Sequence, residues 1–405
     1  MGREARYERL RRLSKRHYPA LTIRVARRYL IDYPDDGVVW MWLGDVLTRM
    51  ARYEEAEQAI AKALEFCPPD LRRNPLLKMG YLFDAAGDQG QAAAWYRKAI
   101  EADPGHAAGR IWLGELLARQ GRLHEAEDLL RAGLTCAKGY IDEANLQLGF
   151  VLRARERFRE AAACFREALR LDPERREARH ALRDVEACIR WEERRSRPGR
   201  SSLRRREGER DEDERYERLR RLSEGPFPAS TIRVARRYLT DYPDDAVAWV
   251  RLGEALVKAA HFQEAEGAIA RALELFPAEG RRLPLMGMGY LFDAAGDLEK
   301  ATAWYTNAVE ADPDHAAGRI FLGGVLTRQG RLHEAEEVHR AGVACEKGRV
   351  DEAYFNLGLV LRCRERFHEA AECFREAIRL DPEYREARSA LRDVEACIRW
   401  EGRRA

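Results

Sequence analysis

The sequence predicts an all-α protein, a solenoid of paired helices in two similar modules. Three observations carry this: the chain is written twice, each copy repeats internally at about 34 residues, and apolar positions within a repeat recur at helical spacing. The first is plain by inspection. YERLRRLS at Tyr7 to Ser14 returns at Tyr216 to Ser223, GYLFDAAGD at Gly80 to Asp88 returns at Gly289 to Asp297, and LRDVEACIRWE at Leu182 to Glu192 returns at Leu391 to Glu401, always 209 residues on. Two modules, 1–193 and 212–405, are therefore expected, each of domain size. Residues 194–211 between them hold Pro198, Gly199 and a run of arginines, which reads as a linker.

The inner repeat is anchored on a Leu-Gly or Met-Gly pair, at Gly44, Gly80, Gly114 and Gly149, and again at Gly253, Gly289, Gly323 and Gly358. Twelve residues after each glycine comes an alanine: Ala56, Ala92, Ala126, Ala161, Ala265, Ala301, Ala335 and Ala370. In six of the eight repeats a proline closes the unit, at Pro68, Pro104, Pro173, Pro277, Pro313 and Pro382. Apolar residues such as Trp40, Leu43 and Leu47, then Ile60 and Leu64, fall on helical faces, with Gly87, Gly121, Gly296 and Gly330 marking turns in the middle repeats. Each repeat is thus helix, turn, helix and proline stop. A glycine inside a helix costs about 1 kcal/mol relative to alanine, so eight of them demand close packing in return.

This pattern, Trp40-x-x-Leu43-Gly44 with Leu47, Tyr53, Ala56, Ile60, Ala63 and Pro68, resembles the tetratricopeptide repeat signature. The resemblance covers about Gly37 to Arg175 and Ala246 to Tyr384. It implies right-handed superhelical modules, no enzyme activity, and a groove lined by the first helix of each repeat that grips a peptide or partner segment. The third repeat of each copy departs from the pattern, with Lys138 and Lys347 where proline is expected. Arg3 to Tyr33 and Glu212 to Tyr242 look like degenerate first units, and Glu174 to Arg194 and Glu383 to Arg403 like closing helices with charged outer faces, the caps a solenoid needs.

On the register implied by the family, the groove of the first copy is lined by Met41, Asp45, Arg49, Tyr81, Asp84, Ile111, Glu115, Arg119, Phe150 and Arg153. That of the second is lined by Val250, Glu254, Lys258, Tyr290, Asp293, Ile320, Arg328, Phe355 and Arg362. Cations beside aromatics favour a protein or peptide ligand with acidic and hydrophobic residues. The chaperone-binding subset of the family uses a clamp of Lys and paired Asn on this surface; Asp45 and Tyr81 stand where that clamp places Asn or its neighbours, so a chaperone-cofactor role is not expected.

The remaining composition narrows the function classes. Of 405 residues, 35% are charged and 45% hydrophobic, which excludes wholesale disorder. No apolar stretch is long enough to span a bilayer, and the opening Met-Gly-Arg-Glu-Ala-Arg is too charged for a secretory signal, so a cytoplasmic protein without membrane association is expected. Eight cysteines without a Cys-x-x-Cys pair read as core filling, not as zinc ligands or disulfides. No catalytic motif is present, and the pairs His124-Glu125, His333-Glu334 and His368-Glu369 read as solvated turns; neither metal nor cofactor is expected. The leading reading is a non-enzymatic interaction scaffold. The alternative is a nucleic-acid-associated adaptor using the linker, at +6 over Arg194 to Arg210, and the N-terminal segment Arg3 to Arg16, at +5.

Overall fold

In a computed structural model of the protein, which describes residues 3–14, 18–195 and 210–402, 22 α-helices and two short 3-10 segments appear and no strand is found among the described residues. The first copy opens with α1 (Arg3–Ser14) and α2 (Pro19–Asp32). Four helical hairpins follow: α3 (Gly37–Arg49) with α4 (Tyr53–Phe66), α5 (Arg73–Ala85) with α6 (Gln89–Ala102), α7 (Ala108–Arg119) with α8 (Leu123–Leu134), and α9 (Ile141–Ala154) with α10 (Phe158–Leu171). α11 (Arg176–Arg195) closes the copy. The second copy repeats the order with α12 (Arg210–Ser223), α13 (Pro228–Asp241), α14 (Ala246–Lys258), α15 (Phe262–Leu275), α16 (Arg282–Ala295), α17 (Leu298–Ala311), α18 (Ala316–Arg328), α19 (Leu332–Val343), α20 (Val350–Cys363), α21 (Phe367–Leu380) and α22 (Arg385–Glu401). Residues 196–209 of the expected linker lie outside the described residues.

The glycine column is explained by what sits opposite it. A Cβ on Gly114 would lie 2.9 Å from Leu130 Cγ, and the same collision meets Ile60 above Gly44, Tyr96 above Gly80 and Phe165 above Gly149. Each glycine on a first helix thus opens a socket for a large side chain sixteen residues later on the second. Tyr96, Phe165 and Leu130 are at most 1% exposed in those sockets, and every alanine of the second column is fully buried. Burying a side chain of that size contributes about 2 kcal/mol, which offsets the glycine's propensity cost.

Lys138 and Lys347 replace proline for a reason the backbone supplies. Lys138 N–H donates to the Gly105 carbonyl at 3.2 Å, and its own carbonyl accepts from Ala107 N–H at 2.9 Å. Lys347 makes the matching pair with Asp314 and Ala316 at 3.1 and 2.9 Å. Proline has no N–H to give, so it cannot occupy this position without losing the bond. The next residue, Gly139 or Gly348, has φ of 118° or 93°, a left-handed conformation that glycine adopts freely.

The helices gather into two compact units that are not the two sequence copies. Unit 1 is Met1–Ala102 together with Ala301–Ala405, and unit 2 is Asp103–Lys300. Each unit takes one half of each copy, where the duplication alone suggested modules at 1–193 and 212–405. Within unit 1 a single apolar core joins Leu10, Ile23, Leu47 and Ile60 of the first copy to Leu357, Phe374, Val394 and Cys397 of the second.

The joining elements are the closing helices. In unit 1, α22 packs on α2, and the fully buried Asp393 accepts from the N–H groups of Ala20 at 3.2 Å and Leu21 at 3.3 Å. In unit 2, α11 packs on α13, and the fully buried Asp184 accepts from Ala229 at 3.1 Å and Ser230 at 3.0 Å. Neither helix start caps itself: Tyr18 and Phe227 occupy the N-cap position and make no side-chain cap bond. The first-turn donors are filled from the other copy's closing helix instead. α11 and α22, expected as terminal caps, are therefore interior joints, and the face carrying Asp184, Val185 and Cys188, or Asp393, Val394 and Cys397, is buried.

Candidate partner-binding surface

The expected groove residues separate by their position within the first helix. Among the expected lining residues, those at the fifth position of the repeat turn inward at Ile111, Val250 and Ile320, which are 1, 2 and 6% exposed. Ile320 packs with Ala316 and with Ala353 of the following first helix, so this position fills the seam between consecutive repeats. These three residues belong to the core and leave the surface. Met41 and Phe355, at the same position, remain half-buried.

The last turn divides likewise. Arg49 and Lys258, one in each unit, are exposed, while Arg119 and Arg328 are half-buried. Arg153 and Arg362 are committed to the joints: the Arg362 guanidinium lies 3.5 Å from Asp393, that of Arg153 lies 4.0 Å from Asp184, and their side chains are only 14 and 10% exposed. Arg153 also covers the Phe150 ring, 5.0 Å from its centroid. Their charge neutralises a buried carboxylate and is not offered to a partner.

The ninth position holds the chemistry that survives. In unit 1, Asp45 of α3 forms an ion pair with Lys78 of α5 and lies 3.4 Å from Arg49. Lys78 Nζ stands 5.7 Å from the ring centroid of Tyr81, which is 38% exposed. Burial and then the Asp45 charge push the Tyr81 hydroxyl pKa upward. Lys78 was not among the expected residues, although its spacing of one repeat from Asp45 places the two on adjacent first helices. In unit 2 the equivalent residues are Glu254, Gly287 and Tyr290, so the cation is missing. Burial raises the Glu254 pKa against the opposing charges of Lys258 and Arg251, and Tyr290 rises through burial and then the Glu254 charge. Asp84 of α5, Glu115 of α7, Phe150 of α9 and Asp293 of α16 are half-buried.

No group of three or more His, Cys, Asp or Glu suited to a metal is found among the described residues. The glutamates of the His-Glu pairs bond the arginine three residues before them, as in Arg122 to Glu125 at 2.7 Å and Arg331 to Glu334 at 2.8 Å. Three arginines of the basic N-terminal segment are engaged: Arg3 lies 3.6 Å from Asp36, Arg11 lies 3.1 Å from Glu8, and Arg6 pairs with Asp32. Lys15 and Arg16 lie outside the described residues. No helix among the described residues is long and apolar enough to cross a membrane.

Family models for the tetratricopeptide repeat match residues 35–104, 77–141, 142–175, 286–349 and 351–384. Tetratricopeptide repeat protein 7A of Homo sapiens is 31% identical over 160 residues, which is 40% of this chain and 18% of that protein. Protein NPGR2 of Arabidopsis thaliana is 25% identical over 146 residues, 33% of this chain and 18% of that protein. The matched stretch thus spans less than a fifth of either relative's length. Among solved structures, yeast Tom70 aligns over 91% of this chain and 89% of its own at 13% identity, with a TM-score of 0.41. With a repeat of helix, turn and helix anchored on paired small residues, and with family models matching 35–175, 286–349 and 351–384, this chain belongs to the tetratricopeptide repeat family.

Proposed function

We propose that the protein is a non-enzymatic interaction scaffold in which each unit offers the surface of its first helices to a peptide or protein segment. The observation that carries this reading is a cluster on adjacent first helices of unit 1: the exposed Arg49 of α3, and on α5 the half-buried Lys78 beside the partly exposed Tyr81 ring. Such a surface favours a segment with acidic and hydrophobic residues, since arginine and tyrosine concentrate binding energy where a partner excludes water. Unit 2 carries Lys258 and Tyr290 at the equivalent places but a glycine at 287, so its ligand is related and not identical. If one partner engages both units, avidity rises by roughly 100 to 10,000 fold over a single site.

The test is capture from native lysate by the full chain, compared with Arg49→Glu, Lys258→Glu and the double variant, with and without nuclease and at two salt concentrations. Loss of a nuclease-resistant partner in the double variant, with partial retention in each single one, is the expected result. Equal capture by wild type and double variant would overturn the surface assignment. Capture abolished by nuclease would transfer the reading to nucleic acid.

A further inference from the structure

Asp393 and the start of α2 are separated by 373 residues in the chain, yet they meet with the same geometry that Asp184 and α13 achieve across 45. The partners are equivalent one for one: Asp393 with Asp184, Ala20 and Leu21 with Ala229 and Ser230, Arg362 with Arg153. Every sequence copy therefore carries both faces of the joint, a closing helix with a buried aspartate and an opening helix whose first turn lacks its own cap. In this chain neither copy fills its own joint; each is completed by the other.

We propose that this joint is a self-recognition surface, and that a second copy of this chain can occupy it, with α22 of one molecule capping α2 of another. Nothing in the joint's own chemistry marks its occupant as belonging to the same molecule. The buried aspartate needs two first-turn N–H groups and an arginine, and any copy supplies them. What favours closure within one chain is only the effective concentration set by the intervening residues. The charges around the unit 1 joint would serve a second chain equally: Glu365 receives Arg24 at 3.4 Å, Arg27 at 3.2 Å and Arg52, and Arg24 also lies 2.6 Å from Glu401. Exchange of an identical element between molecules is a low-cost route to a dimer. This inference is independent of what the first helices bind.

Two full-length variants test it by complementation. Asp393→Arg spoils the closing face, since a cation replaces the acceptor at a helix N-terminus. Arg24→Glu with Arg27→Glu spoils the opening face by facing Glu365 with like charge. Alone, each lacks one face and sediments as a monomer. Mixed at equal micromolar concentration, they retain one intact face of each kind. A species of twice the chain mass is expected, with a dimer fraction about tenfold above that of either variant alone. Adding Asp393→Arg to the second variant removes the last intact α22 face, while α11 stays engaged on α13 in every variant, and returns the mixture to monomer. A mixture that stays monomeric overturns the proposal, provided hydrogen exchange shows α3 and α20 protected in both variants. Where a charge reversal unfolds unit 1, Asp393→Asn and Arg24→Ala with Arg27→Ala are read the same way.

Discussion

The two joints share a buried aspartate, its two backbone donors and its arginine, and differ in the charges around them. In unit 1, Glu365 sits at a left-handed φ of 60° and gathers three arginines from α2 and the turn between α3 and α4. In unit 2, Glu156 has the same conformation, φ 56°, and the arginine that approaches it among the described residues is Arg236, at 3.6 Å. The counterpart of Arg24, Arg233, instead covers Trp191 at 4.9 Å, and that of Arg52 is His261, which bonds the Ala154 carbonyl. The difference teaches which part of the joint is essential. The aspartate cap and its arginine are retained in both, while the surface charges vary. The denser ion pairing lies in the joint whose halves are far apart in the chain, where closure has the least help from a short tether.

The largest effects should fall on what the joints share. Asp393→Ala leaves two first-turn N–H groups and the nearly buried Arg362 without their acceptor, a loss of about 4 kcal/mol confined to unit 1. Asp184→Ala should cost unit 2 a similar amount, and hydrogen exchange of α2 against α13 reads the two separately. A joint loss in both units from either substitution would show that the units are not independent.

A second difference is a pH handle. Opposite Gly114 of unit 2 stands Leu130, whereas opposite Gly323 of unit 1 stands His339, 1% exposed, its pKa lowered to about 4 by burial. The unfolded chain binds this proton near pH 6.5 and the folded chain does not. Stability contributed by neutral His339 is therefore complete above about pH 6.5 and lost as pH falls toward 4, by up to about 3 kcal/mol. Urea unfolding at pH 7 and pH 5 should show about 2 kcal/mol of that loss in unit 1, and His339→Leu should remove it. An unchanged pH slope in His339→Leu would assign the acid sensitivity elsewhere.

The smallest effects belong to the peripheral charges. Burial pushes the Glu365 carboxyl up, but the Arg52 hydrogen bond and the charges of Arg52, Arg27 and Arg24 hold it below its ordinary range. With its side chain 32% exposed, solvent screening limits Glu365→Gln to about 1 kcal/mol. Glu156→Gln, at 59% exposure, should change unit 2 by no more than about 0.3 kcal/mol. Thermal melts in low and high salt check both, since the more exposed Glu156 pair should lose most of its effect in high salt and the half-buried Glu365 cluster less of it.

The repeat architecture was legible because it is periodic: glycine and alanine columns recur at fixed spacing, and helical apolar faces lie between them. The departures were legible only as departures. Lys138 breaks the proline pattern, but its reason is a backbone bond to Gly105 that sequence does not display. The joints left a fainter sign, since Pro19 and Pro228 open helices behind Tyr18 and Phe227, residues that cannot cap. An uncapped helix start that is buried needs an acceptor from elsewhere, and Asp184 and Asp393 lie within the duplicated segment LRDVEACIRWE. Which copy supplies the acceptor is not written locally, because both copies offer the same one. The helix faces were half legible: the register gives Asp45, Arg49 and Tyr81 positions that solvent reaches, but not the burial of Ile111, Val250 and Ile320.

The folded units interleave the sequence copies. Amide hydrogen exchange of Asp393→Ala in the full chain tests it most directly. Protection should fall together in α2 to α4 of the first copy and α20 to α22 of the second, while α9 to α14 keep wild-type protection. Loss spread along α12 to α22, with α2 to α4 untouched, would mean that the second copy folds as a unit of its own and would contradict the account.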